Sequence, residues 1–129
     1  MTTDSTKRTA PAEVKIVCAL LVGLGVAYVL LAAVILLSSE ASPRTLMVPL
    51  TTLLFGAIVA AGVARGMPFA RLAGFAVVVI FGIVHAFFLA AAATILVKVF
   101  SVLAAAGYVY AGVLLNSMPL RRYILGAKA

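Results

Sequence analysis

The chain has 129 residues, of which 66% are hydrophobic and 10% charged, against about 45–50% and about 25% in soluble domains. That balance excludes a water-soluble globule, a disordered chain and a nucleic-acid binder, so the net charge of +7 has to be read by where the basic residues fall. The single cysteine, Cys18, excludes an internal disulfide and a two-cysteine redox couple.

Residues 1–12, with Asp4, Lys7, Arg8 and Pro11 among Thr and Ser, have little to bury and are expected to form a disordered cytoplasmic tail. A membrane-spanning helix then needs about 20 mostly apolar residues at about 1.5 Å rise each, and four segments meet that length. The first is 16–37, free of charge and closed by Ser38, Ser39 and Glu40. Its rival reading is a signal peptide, with Lys7, Arg8 and Lys15 as the basic region and Ser39-Glu40-Ala41 as a cleavage site. The apolar run is longer than the about 7–15 residues of such a peptide, which favours a span.

The second span is 46–64. Ser42 and Pro43 precede it as an N-cap and first-turn pair, Pro49 is expected to kink its start, and Gly66 and Pro68 stop it. From Leu72 to Leu115 the chain is almost wholly apolar. A single helix of that length would measure about 66 Å, twice the hydrocarbon thickness, so the segment must fold back once. That gives spans 72–93 and 95–115, with a turn at Ala90–Thr94, Thr94 as N-cap and Lys98 snorkelling to the interface. In 118–129, Leu120, Tyr123 and Ile124 share a face opposite Arg121 and Arg122, the pattern of a short basic interfacial helix.

Lys7, Arg8, Lys15, Arg65, Arg71, Arg121, Arg122 and Lys128 fall on one side of these spans, and Arg44 and Lys98 on the other. The positive-inside rule then puts both termini in the cytoplasm. The expected fold class is all-α: a multi-pass protein of the cell membrane with a four-helix membrane domain over 13–117. A faint repeat runs through it, since Ala61-Gly62-Val63, Met67-Pro68 and Arg71 return as Ala111-Gly112-Val113, Met118-Pro119 and Arg122. It suggests two tandem hairpins of like orientation.

Asp4, Glu13 and Glu40, the only carboxylates, all lie outside the spans. Proton- or sodium-coupled carriers commonly rely on an intramembrane acid, so coupled transport is disfavoured. One His and one Cys cannot complete a zinc or iron site, and no nucleophile and base pair is visible. No metal, cofactor or enzymatic activity is therefore expected.

His85 is the ionisable residue deepest in a span, about 4 Å from the midplane by helical rise. Its structural reading is an imidazole bonded across helices to Tyr28, Tyr108, Tyr110 or Ser101; its functional reading is a polar intramembrane site, with Lys98 as second member. Phe81, Phe87 and Phe88 are read as core or lipid-facing rather than as an ion track. Gly82, Ala86 and Ala90 on the third span, Gly56, Ala60 and Ala64 on the second, and Gly23 with Ala27 on the first form small-residue seams for close helix packing. Arg65, Arg71, Arg121 and Arg122 are read as a cytoplasmic basic anchor.

The turn Arg65-Gly66-Met67-Pro68-Phe69-Ala70-Arg71 and the ending Leu114-Leu115-Asn116-Ser117 to Arg121-Arg122-Tyr123 resemble those of small four-span membrane proteins of bacteria and archaea that have no agreed activity. That resemblance implies four spans and carries over no site residue. The expected function is association in the bilayer, as an accessory or assembly subunit of a larger membrane complex or as a homo-oligomer. The alternative is a small channel, holin-like pore or uncoupled transporter using His85 and Lys98.

Overall fold

Inside a bilayer the backbone has no water to bond, so an apolar segment closes its own N–H and C=O groups as a helix. The computed structural model describes residues 10–38, 42–92 and 94–126, and the elements among them are all helical. They are α1 (Ala12–Ser38), a 3-10 turn (Pro43–Leu46), α2 (Met47–Ala64), α3 (Pro68–Ala91), α4 (Ile95–Leu115) and α5 (Met118–Leu125). The 3-10 turn runs directly into α2, and with that extension the first four helices are each long and apolar enough to cross a membrane. This is the architecture of a multi-pass membrane protein. Residues 1–9 of the tail expected over 1–12, the Ser39-Glu40-Ala41 segment and Lys128 lie outside the described residues, and Ala12, the last residue of that tail, begins α1.

Local chemistry sets the element ends. Ser42, extended at its backbone, accepts the Arg44 N–H at 3.2 Å and starts the 3-10 turn with Pro43 next to it. Pro49 lies in the first turn of α2, where a missing N–H leaves no intrahelical bond unmade. Gly66 adopts φ 71° between α2 and α3, a left-handed turn that a residue with a Cβ rarely makes. Met67 and Pro68 then open α3, and Met118 and Pro119 open α5 in the same way. The two Met-Pro pairs thus have the same local role, although α3 runs for 24 residues and α5 for eight. The fold-back between α3 and α4 falls after Ala91, and Thr94 occupies the cap position of α4 with no side-chain hydrogen bond to the helix.

The four long helices alternate in direction and form a ring: α1 packs on α2 and α4, and α3 packs on α2 and α4. The seams within the hairpins α1–α2 and α3–α4 are more extensive than those between them. Glycine permits the closest approach. A Cβ on Gly56 would lie 2.7 Å from the Leu21 carbonyl oxygen, and one on Gly25 would lie 2.8 Å from the Leu53 Cα. Alongside these contacts the Cys18 thiol donates to the Ala60 carbonyl at 3.2 Å, a weak bond across the same seam.

Inside the ring, Val17, Leu21, Val59, Val63, Ala111 and Leu115 are buried. The two ends differ. The end holding the start of α1, the α2–α3 turn and the end of α4 is basic, with Lys15, Arg65, Arg71, Arg121 and Arg122, and it is closed by α5. The opposite end, formed by the 3-10 turn and the α3–α4 fold-back, holds Arg44 and Lys98.

Candidate functional site

The basic end shows what polar side chains do for the fold. Helix C-termini leave carbonyls without intrahelical donors, and two side chains serve them here. Arg71 donates from Nε to the Leu115 carbonyl at 2.9 Å and from Nη2 to the Asn116 Oδ1 at 2.9 Å, with its guanidinium 4.9 Å from the Phe75 ring centroid. Tyr123 on α5 donates its hydroxyl to the Ala64 carbonyl at the end of α2. Leu120 and Ile124 are buried beneath.

The apolar face of α5 is packed on the bundle through Leu120 and Ile124. Arg121 departs from the expected outward pair: its Nε is buried and has no hydrogen-bond partner, while Arg122 is exposed. Arg65 is exposed as well. The four expected anchor residues therefore divide into Arg71, taken up by the fold, Arg121, half-buried, and Arg65 and Arg122, exposed.

The opposite half of the bundle holds a second polar group. His85 on α3 is 1% exposed, Ser101 on α4 is 0% exposed and Tyr108 on α4 is 1% exposed. His85 Nδ1, Ser101 Oγ and the Tyr108 hydroxyl are all buried without a hydrogen-bond partner. The imidazole stacks on the Tyr108 ring, with centroids 5.7 Å apart and planes at 17°. Edge-on rings surround it: Tyr28 at 5.1 Å, Phe100 at 5.6 Å and Phe88 at 6.0 Å. Edge-to-face packing at such distances is favourable and sets ring orientation. The hydrogen bond expected between His85 and Tyr28, Tyr108, Tyr110 or Ser101 is not made. Tyr28 and Tyr108 meet the imidazole through their ring faces and edges, and Tyr110 lies exposed on the other side of α4.

A cavity of about 160 Å3 lies above this cluster, between α1, the 3-10 turn, α3 and α4. Tyr28, Ala32, Thr45, Phe88, Phe100 and Ser101 are among its walls. Three of those residues, Tyr28, Phe88 and Phe100, are also the rings packed around His85, so the imidazole sits directly behind the aromatic floor. A cavity of about 150 Å3 with apolar walls accommodates a molecule the size of benzene. Ser101 is among the walls of this one, fully buried, with a hydroxyl that has no partner among the described residues.

The remaining sequence candidates are placed as follows. Lys98 is exposed in the first turn of α4 and does not line the cavity, so it is not brought together with His85. Gly56 and Ala60 are buried against α1 and form a real seam, whereas Ala64 is exposed. Gly82 is half-buried near Tyr108, but Ala86 and Ala90 are exposed and outside the internal seams. Gly23 also faces outward, with nothing within 4 Å of a Cβ placed there. Phe81 packs on Tyr108, Phe88 lines the cavity and Phe87 is exposed.

Sequence reasoning missed Phe100 and Thr45, and gave Ser101 only as a bonding partner for His85. For Ser101 the signal was the face of α4 on which Val97, Ser101, Ala104, Tyr108 and Ala111 recur at helical spacing, which puts two polar residues in line with small ones; Phe100 and Thr45 carried none. Among the described residues no group of three or more His, Cys, Asp or Glu lies together for a metal ion. Comparison with protein-family models, curated proteins and solved structures finds no match. What stands without relatives is the coarse class, an all-helical chain with four apolar helices of membrane-spanning length.

Proposed function

We propose that this protein binds a small, uncharged, hydrogen-bonding molecule of single-ring size inside its helix bundle, and passes it across the membrane without ion coupling. The supporting observation is a cluster beside the cavity: Ser101 is among its walls, the rings of Tyr28, Phe88 and Phe100 border both the cavity and His85, Tyr108 stacks on His85, and Ser101 Oγ, His85 Nδ1 and the Tyr108 hydroxyl are buried and unpartnered among the described residues. An unmet buried polar atom costs about 1–3 kcal/mol, and a ligand offering a donor and an acceptor removes that cost while its ring occupies the apolar walls. The absence of a carboxylate from the described spans beyond Glu13, in the first turn of α1, fits uncoupled movement. His85 acts here by recognition, with the aromatic rings closing the path. Lys98 has no part in this reading.

The orientation proposed with it puts the basic end in the cytoplasm, in the cell membrane, and opens the cavity toward the other side. The test is 19F NMR of 4-fluorobenzyl alcohol with the purified protein, followed by its uptake into proteoliposomes. Wild type should broaden the probe resonance, and Ser101→Leu and His85→Leu should abolish the effect while the protein still elutes as one species. Equal broadening in all three would overturn the proposal.

Association between copies is the second reading. It is favoured by Ala86 and Ala90, which lie exposed four residues apart beyond the half-buried Gly82, leaving an outward face on which another helix could approach closely. Native mass spectrometry checks it: an oligomer that Ala86→Leu with Ala90→Leu reduces to monomer supports it, and a monomeric wild type removes it.

A further inference from the structure

The thinner seam between α2 and α3 opens, at the basic end, into a crevice of about 380 Å3 on the outside of the bundle. Ile58, Gly62 and Arg65 on the α2 side and Met67, Phe69 and Ala73 on the α3 side line it. The helices touch where a Cβ on Gly62 would lie 2.9 Å from the Ala70 Cβ, and the crevice lies alongside that contact. Ile58, Met67 and Phe69 are exposed, so its walls belong to the surface that faces lipid.

Polarity in the crevice is confined to one end. Arg65 and Ile58 are seven residues apart on α2, about 10 Å along the helix, so the walls run from a cation at the mouth to purely aliphatic surface deeper in. Arg65 makes no side-chain hydrogen bond or ion pair among the described residues, in contrast to Arg71 one turn of chain away, whose guanidinium is held by Leu115 and Asn116. The positive end of the α3 dipole lies at the same mouth and adds to the local potential.

From this match of charge and shape we infer that the α2–α3 crevice binds an anionic phospholipid, its phosphate on Arg65 and one acyl chain laid along Ile58, Gly62 and Ala73. The site lies at the other end of the bundle from the His85 cavity and does not depend on it. A free phosphate would meet the cation but leave the aliphatic wall uncovered, and a zwitterionic lipid would fill the wall with a weaker headgroup contact.

The experiment uses the full chain in nanodiscs containing equal phosphatidylglycerol and phosphatidylcholine, released into native mass spectrometry with retained lipid counted. Wild type should retain phosphatidylglycerol in preference to phosphatidylcholine. Arg65→Gln should cut that retention about fivefold, the effect of one cation at a membrane surface. Ala61→Phe, which fills the crevice from an exposed position, should cut it as strongly with the charge intact. Arg122→Gln removes an exposed cation outside the crevice and should leave retention unchanged. An equal loss in Arg122→Gln, unchanged retention in either crevice variant, or no preference between the two lipids would overturn the inference. Inorganic phosphate that displaced the lipid at millimolar concentration would overturn the acyl-chain part.

Discussion

The two ends of the bundle differ in how their polar side chains are met, Arg121 Nε apart, which is buried without a partner at the basic end. At the basic end Arg71, Asn116 and Tyr123 meet the carbonyls left over at the ends of α2 and α4 and hold α5 in place. In the other half His85, Ser101 and Tyr108 are more deeply buried, yet each presents an atom with no partner. The difference teaches that polarity alone does not mark a site in a membrane protein. A satisfied polar group is part of the scaffold, whereas a buried unsatisfied one costs the fold free energy, and it is on these atoms that the ligand proposal rests.

The comparison can be broken most forcefully at Arg71. Arg71→Ala removes two charge-assisted bonds and the ring contact with Phe75, and should destabilise the protein by about 1.5–3 kcal/mol, read as a fall in the melting temperature in mild detergent. A melting temperature equal to that of wild type would mean that the basic end is not held by these bonds.

Tyr123→Phe tests the same end more gently, since it deletes only the hydroxyl that serves Ala64. A loss of about 0.5–1.5 kcal/mol is expected, together with faster proteolysis near the C-terminus if α5 loosens. Tyr108→Phe is the matched substitution in the other half, with the same chemical change and the opposite expected sign. Because that hydroxyl has no partner, stability without ligand should stay level or rise by up to about 1 kcal/mol. A loss as large as that of Tyr123→Phe would show that the hydroxyl supports the fold, and would remove it from the ligand site. The two positions lie at different levels of the bundle with no shared partner, so the double variant should be additive.

Much of the architecture was legible from the chain. An apolar stretch from Leu72 to Leu115 is too long for one crossing, so the fold-back followed from length alone. The structure ends α3 at Ala91 and starts α4 at Ile95, and no Gly, Pro, Asn or Asp in the sequence marks the turn. His85 stood out as the ionisable residue at depth, and Gly56 with Ala60 as a seam. Tyr28 and Tyr108 were named as neighbours of His85, though as hydrogen-bond partners and not as packed rings. The outward position of Ala86 and Ala90 and the burial of Arg121 Nε were not legible.

One physical reason covers these misses. In water the apolar stripe of a helix tells which face turns inward. Helices apolar on nearly every face give no such signal, because lipid solvates Leu and Val as well as the bundle core does. Length, hydropathy and the placing of arginines therefore determined, from the sequence by itself, that the chain forms four helices long and apolar enough to cross a membrane, and which ends gather the basic charge. The rotation of each helix was decided only by tertiary packing, through backbone approaches as tight as that of Gly56 on Leu21. That rotation stacked His85 on Tyr108, buried Ser101 on the same helix as Tyr108 and left Arg65 exposed.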